Sequence, residues 1–143
     1  MRKFVVTGIL AALGVAVLAI PASASFDSHF SVIAKQTSGS GGQNGFRFKD
    51  KLLDPRNRHD KVGRDWGRCK PKPKIRKLRC HALVHLNGEV GGFGNIQVSG
   101  DFGGHDNRLN VVGGTHDFNG IAGKMLIHSL HGNTDRLRFA LVR

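Results

Sequence analysis

A chain of 143 residues with 22 Lys and Arg against 10 Asp and Glu carries a formal net charge of +12, and it holds 20 Gly, one Trp, two Cys and no Tyr. These figures exclude a multidomain machine and argue against a disordered tail or a polytopic membrane protein. They leave one domain, since roughly 100–200 residues make one.

Taken in chain order, the first feature is Arg2-Lys3, then the apolar run Phe4 to Ile20, then Pro21-Ala22-Ser23-Ala24. A basic start, an apolar stretch and small residues at alternate positions predict a secretory signal peptide over 1–24, cut before Ser25. The other reading is an uncleaved anchor helix, because 17 apolar residues are near the lower limit for crossing a bilayer. Removing 24 residues from 143 leaves 119, and the loss of two cations turns 22 against 10 into 20 against 10, or +10. No later apolar run approaches membrane length, so the expectation is a secreted, extracellular domain over 25–143 with no stable membrane insertion after cleavage.

Beyond residue 25 there is no long helical periodicity. Short runs of period-two alternation recur instead, separated by Gly, Asn, Asp or Pro. They predict strands at Ser28–Lys35, Phe46–Leu53, Val62–Cys69, Leu78–Asn87, Asn95–Phe102, Arg108–Val112, Gly123–Leu130 and Arg136–Val142. Eight short strands at this spacing fit a closed antiparallel barrel or a sandwich. Thr37 to Gly45, rich in Gly and Ser, reads as a flexible loop.

Alternation assigns side chains to faces. Over Phe46–Leu52, one face takes Phe46, Phe48, Asp50 and Leu52, and the other takes Arg47, Lys49 and Lys51. Leu78, Cys80, Ala82, Val84 and Leu86 share a face opposite Arg79, His81 and His85. In an exported chain a Cys69–Cys80 disulfide is the default, and the loop it closes is worth about 3 kcal/mol by chain entropy. If the two cysteines share the inner side, parity turns Gly63, Asp65 and Gly67 inward too, unless a bulge intervenes.

An inward carboxylate is costly unless something satisfies it. Asp50 and Asp65 are therefore the candidate chemical groups: two acids near each other in a dry cavity split into an acid and a base. The alternative is structural, with each Asp bonding loop amides or pairing with Arg64 or Arg68.

Other segments carry weaker signals. Lys70 to Arg79 places six basic residues in ten positions, which suits either a polyanion partner or a solvated hairpin tip. No aromatics interleave there, so no specific nucleic acid is expected. Of eight His, His81 and His85 lie roughly 13 Å apart along one strand face. His128 and His131 flank a turn with no completing ligand, so no metal is expected, and no cofactor either, since nucleotide and nucleophile motifs are absent.

Phe48-Lys-Asp50, Val62-Gly-Arg-Asp-Trp-Gly67 with Cys69, Cys80, Gly94-Asn-Ile-Gln-Val-Ser-Gly100 and Val112-Gly-Gly-Thr-His-Asp-Phe-Asn-Gly-Ile-Ala-Gly123 together resemble the allene oxide cyclase and dirigent barrel superfamily, in its small secreted bacterial form. Read physically, Phe118 is a side chain able to plug one barrel end. The resemblance implies an eight-stranded antiparallel barrel with a central apolar cavity, often a homotrimer. It further implies a small hydrophobic or phenolic ligand whose cyclisation or coupling is steered by confinement, as in an isomerase. Asp50 takes the place of a dirigent acid, while Ala122 stands where dirigent proteins have Arg. The expected roles are Asp50 and Asp65 as acid and base, and Phe46, Phe48 and Trp66 as ligand-binding wall residues. Trp66 falls on the opposite parity from Asp65. The alternatives are a ligand carrier using the same cavity and a polyanion-binding module using residues 70–79.

Overall fold

The computed structural model describes residues 28–103 and 107–143, so the expected signal peptide lies outside the described residues. Eight strands run β1 (His29–Gly42), β2 (Gly45–Leu53), β3 (Lys61–Lys72), β4 (Lys77–Asn87), β5 (Phe93–Phe102), β6 (Arg108–Gly114), β7 (Ala122–Ser129) and β8 (Thr134–Val142). Each pairs antiparallel with the next, and β8 pairs with β1, which closes the barrel and leaves no sheet edge. Of the barrel and sandwich architectures that the strand spacing allows, the chain adopts the barrel.

One half of the interior is solid. Val32, Leu52, Val62, Val84, Leu86, Ile96 and Leu141 are buried there around Phe118, which is fully enclosed. Phe118 belongs to a short 3-10 turn, His116–Phe118, that folds across this end of the barrel. Phe30 stacks on Phe139 with ring centroids 4.7 Å apart, and lies 6.3 Å from Phe118. The glycine at 114 makes this closure possible, because a Cβ there would stand 2.6 Å from the Cβ of Phe118. Phe118 and Phe139, both buried, each contribute on the order of 3 kcal/mol by removing apolar surface from water.

One expectation needs correction. Thr37–Gly45 is not a flexible loop: β1 continues to Gly42 and pairs with β2 from Ser38↔Lys49 to Gly42↔Gly45. Ladder bonds use only backbone groups, so a Gly/Ser composition does not prevent them once a partner strand is in place. A register shift between Gln36 and Ser38 interrupts the pairing, where the Thr37 hydroxyl donates to the Lys49 carbonyl at 2.9 Å. In the 70–79 segment the charge is partly engaged within the fold. Lys72 and Arg79 both bind the Asp101 carboxylate, leaving Lys70, Lys74 and Arg76 as the exposed cations of that tip.

Candidate functional site

The other half of the barrel is hollow. A cavity of about 300 Å³ lies there, lined in part by Gly132, Asn133 and Thr134 at the β7–β8 turn. That volume is at the small end of the range for small-molecule sites. Its wall is mainly apolar, with Phe46 and Phe48 of β2, Leu109 of β6, and Met125 and Ile127 of β7. Phe46 and Phe48 pack with centroids 6.1 Å apart. The Cys69–Cys80 disulfide forms across directly paired positions of β3 and β4 and is part of the wall.

Gly67 shapes this wall. A Cβ at that position would meet the Phe48 ring at 2.7 Å and the Ala82 Cβ at 2.8 Å. The bare backbone therefore gives the phenyl ring its place over β3.

The acids lie where the hollow half meets the solid half. Asp50 and Asp65 are directly opposite each other on β2 and β3, and both line the cavity. Next to them along the same strands come Leu52 and Gly63, and Val84 faces Asp65 on β4. Asp65 is 4% exposed and is the one buried charged or polar residue among the described residues. Its Oδ1 has no hydrogen-bond partner. Burial pushes the Asp65 carboxyl up to about 9, with the neighbouring charge of Asp50 as the next cause. Burial also raises Asp50, opposed by hydrogen bonding from Asp65. At neutral pH the pair therefore divides into a protonated Asp65 and a more readily ionised Asp50, which accepts from it.

Strand parity did identify the inward turn of both acids. It also holds a third that the sequence analysis missed. Asp135 of β8 lines the cavity, and its charge raises both Asp50 and Asp65. The signal was available: Leu137, Phe139 and Leu141 are buried, and Asp135 continues their alternation one step beyond the expected strand start at Arg136.

Trp66 is elsewhere. It lies on the outer face of β3, 36% exposed, with the Arg64 guanidinium 5.5 Å from its ring centroid. Among the described residues no group of three or more His, Cys, Asp or Glu is arranged to hold a metal ion, and no helix is long and apolar enough to cross a membrane.

The fold and the site together define a small closed eight-stranded antiparallel barrel, packed at one end and hollow at the other, with an acid pair lining the cavity. The chain is similar to a solved structure described as pyocyanin demethylase, with a TM-score of 0.63 and 18% identity, over 80% of this chain and 99% of that one. At that identity the likeness is one of fold. No protein-family model matches the sequence, and no curated protein matches it.

Proposed function

We propose that the cavity binds a small hydrophobic or aromatic molecule and steers its cyclisation or coupling, in the manner of the allene oxide cyclase and dirigent barrels that the motifs resemble. The observation that carries this reading is the acid pair: two facing carboxyls at the floor of an otherwise apolar cavity, one buried oxygen of which has no partner. Buried polar groups without partners are rare in a fold that has no use for them. A ligand with a polar edge would satisfy Asp65 Oδ1 while its apolar body fills the space between Phe46, Phe48 and Met125. The name of the structural neighbour, pyocyanin demethylase, belongs to a protein acting on a small aromatic molecule, which supports the same ligand class.

The chemistry available is proton transfer under confinement. In a ring closure that is an isomerisation, neutral Asp65 donates its proton to an oxygen as a C–O bond opens, an internal C=C bond attacks the carbon so released and forms the ring-closing C–C bond, and ionised Asp50 takes a proton from the carbon next to the new cation to form a C=C bond. The proton returns through the Asp50–Asp65 contact, so no atom is gained or lost. For coupling, the reactive partners arrive already oxidised by a separate oxidant, and the cavity contributes orientation. The disulfide suits an oxidising compartment, in line with secretion. The resemblance implies three copies, which light scattering would count.

The test is a thermal-shift screen of phenolic, phenazine and fatty-acid-derived compounds against the disulfide-intact protein. A stabilising ligand is expected, with the shift changed in Asp50→Asn and Asp65→Asn. If no compound shifts the transition, and protein from its native host releases no small molecule on denaturation, the cavity reading is overturned. If ligands bind and none is converted by either form, the protein is a carrier.

A further inference from the structure

The outer face of the same strands carries an arrangement that the cavity does not explain. Strand register aligns Arg47, Arg68 and His81 in one row across β2, β3 and β4, then Lys49, Trp66 and Leu83, then Lys51, Arg64 and His85. Lys70 adds a sixth Lys or Arg one step further along β3. Among the described residues, none of these six cations has an ion-pair partner. Arg47 directly faces Arg68, and Lys51 faces Arg64. Like charges directly opposite on neighbouring strands destabilise a sheet, so the pattern works against the fold and is expected to serve something else.

The centre of this field is concave. An open depression of about 450 Å³ lies beside Trp66, bounded by Arg47, Arg68, His81, Ser99 and Val112. Arg64 packs over the indole but does not border the depression, which lies on the Arg68 side of the ring. Gln97 borders it too, and the Ser99 hydroxyl and His81 Nδ1 are 3.0 Å apart. The set comprises one aromatic plate, two guanidinium forks and three further hydrogen-bonding side chains.

We infer that this depression is a binding site for an acidic saccharide unit of a linear polyanionic glycan, with a sugar face on Trp66 and its sulfate or carboxylate on Arg47 and Arg68. Guanidinium forks match planar or tetrahedral oxyanions bidentately. Gln97, Ser99 and His81 suit hydroxyl groups, and the flanking Lys49, Lys51, Arg64 and Lys70 extend the positive field along which neighbouring units of a chain would lie. A single-stranded nucleic acid fits less well, since it needs successive aromatic platforms and Trp66 is the chain's one tryptophan. An anionic membrane fits less well because the polar groups beside Trp66 would be desolvated without partners. This site goes beyond the cavity reading and is independent of it.

Because the chain has one Trp, its intrinsic fluorescence reports this depression specifically. Titration of the folded protein with a heparin hexasaccharide should change Trp66 emission saturably and with salt dependence, while neutral dextran should leave it unchanged. Arg47→Gln and Arg68→Gln should each weaken binding about tenfold, the worth of one charged hydrogen-bonding contact. Lys74→Ala with Arg76→Ala at the hairpin tip should keep it within about twofold, and Asp50→Asn with Asp65→Asn should leave it intact. The inference is overturned if Trp66 emission does not respond to the hexasaccharide. It is equally overturned if the tip variant loses binding while the arginine variants retain it, or if phosphatidylglycerol vesicles or an oligodeoxythymidine bind more tightly. A change of oligomeric state in Trp66→Ala by sedimentation would also overturn it, assigning the face to a second copy of the chain.

Discussion

On β2 and β3 the inner and outer faces each set like charges directly opposite one another, and they resolve the conflict differently. Inside, Asp50 faces Asp65; outside, Arg47 faces Arg68 and Lys51 faces Arg64. The inner pair is buried enough that one carboxyl keeps its proton, so repulsion is removed by neutralisation. The outer cations are in water, where screening keeps each repulsion small and the charge remains. A single alternating stretch of sequence thus builds a proton-holding site and a cation field one sheet-thickness apart.

The contrast is broken most severely by adding a carboxylate to each side. Val84 is fully buried opposite Asp65, and Val84→Asp should cost more than about 4 kcal/mol in urea denaturation, enough to unfold much of the population. Leu83→Asp, on the outer face beside Trp66, should stay within about 0.5 kcal/mol of the parent.

A middle-sized effect comes from removing the inner proton. With the Asp65 carboxyl raised to about 9 from an ordinary 3.8, the folded state holds a proton that the unfolded chain releases. The stability associated with Asp65 is therefore fully present below about pH 4 and is lost as pH rises through about 9. Asp65→Asn keeps a donor toward Asp50 without the titration, so its melting temperature should exceed the parent's by roughly 5 °C at about pH 8, with a flatter pH profile by calorimetry. An unchanged profile would show that Asp65 is ionised in the fold.

The smallest effect is on the outside. Arg68→Glu turns one like-charge pair into an attractive one and should add about 0.5 kcal/mol at low salt. The gain should vanish near 1 M salt, where the screening length is about 3 Å.

Much of this was legible in the sequence because strands encode facing in a period of two. Cys80 through Leu86 and Phe46 through Leu52 gave the inner surface, and the two acids followed from it. What escaped lay at a strand end, in backbone pairing and in contacts between strands. Asp135 was missed because the expected strand began at Arg136, one residue short of the acid that continues the inward alternation of Leu137, Phe139 and Leu141. Residues 37–42 escaped because their pairing lies in backbone groups that composition does not display. The outer basic field was overlooked in favour of Lys70–Arg79, where cations are contiguous. Its members are spread over β2 and β3 and meet only through register, whereas Lys72 and Arg79 of the contiguous run are already engaged by Asp101.

The seal that Phe118 makes at one end turns the hollow half into a blind corridor. A molecule entering the hollow half finds the far end filled, so it is sorted by its leading edge. A long tail is no obstacle, since it trails into solvent, but a wide head is.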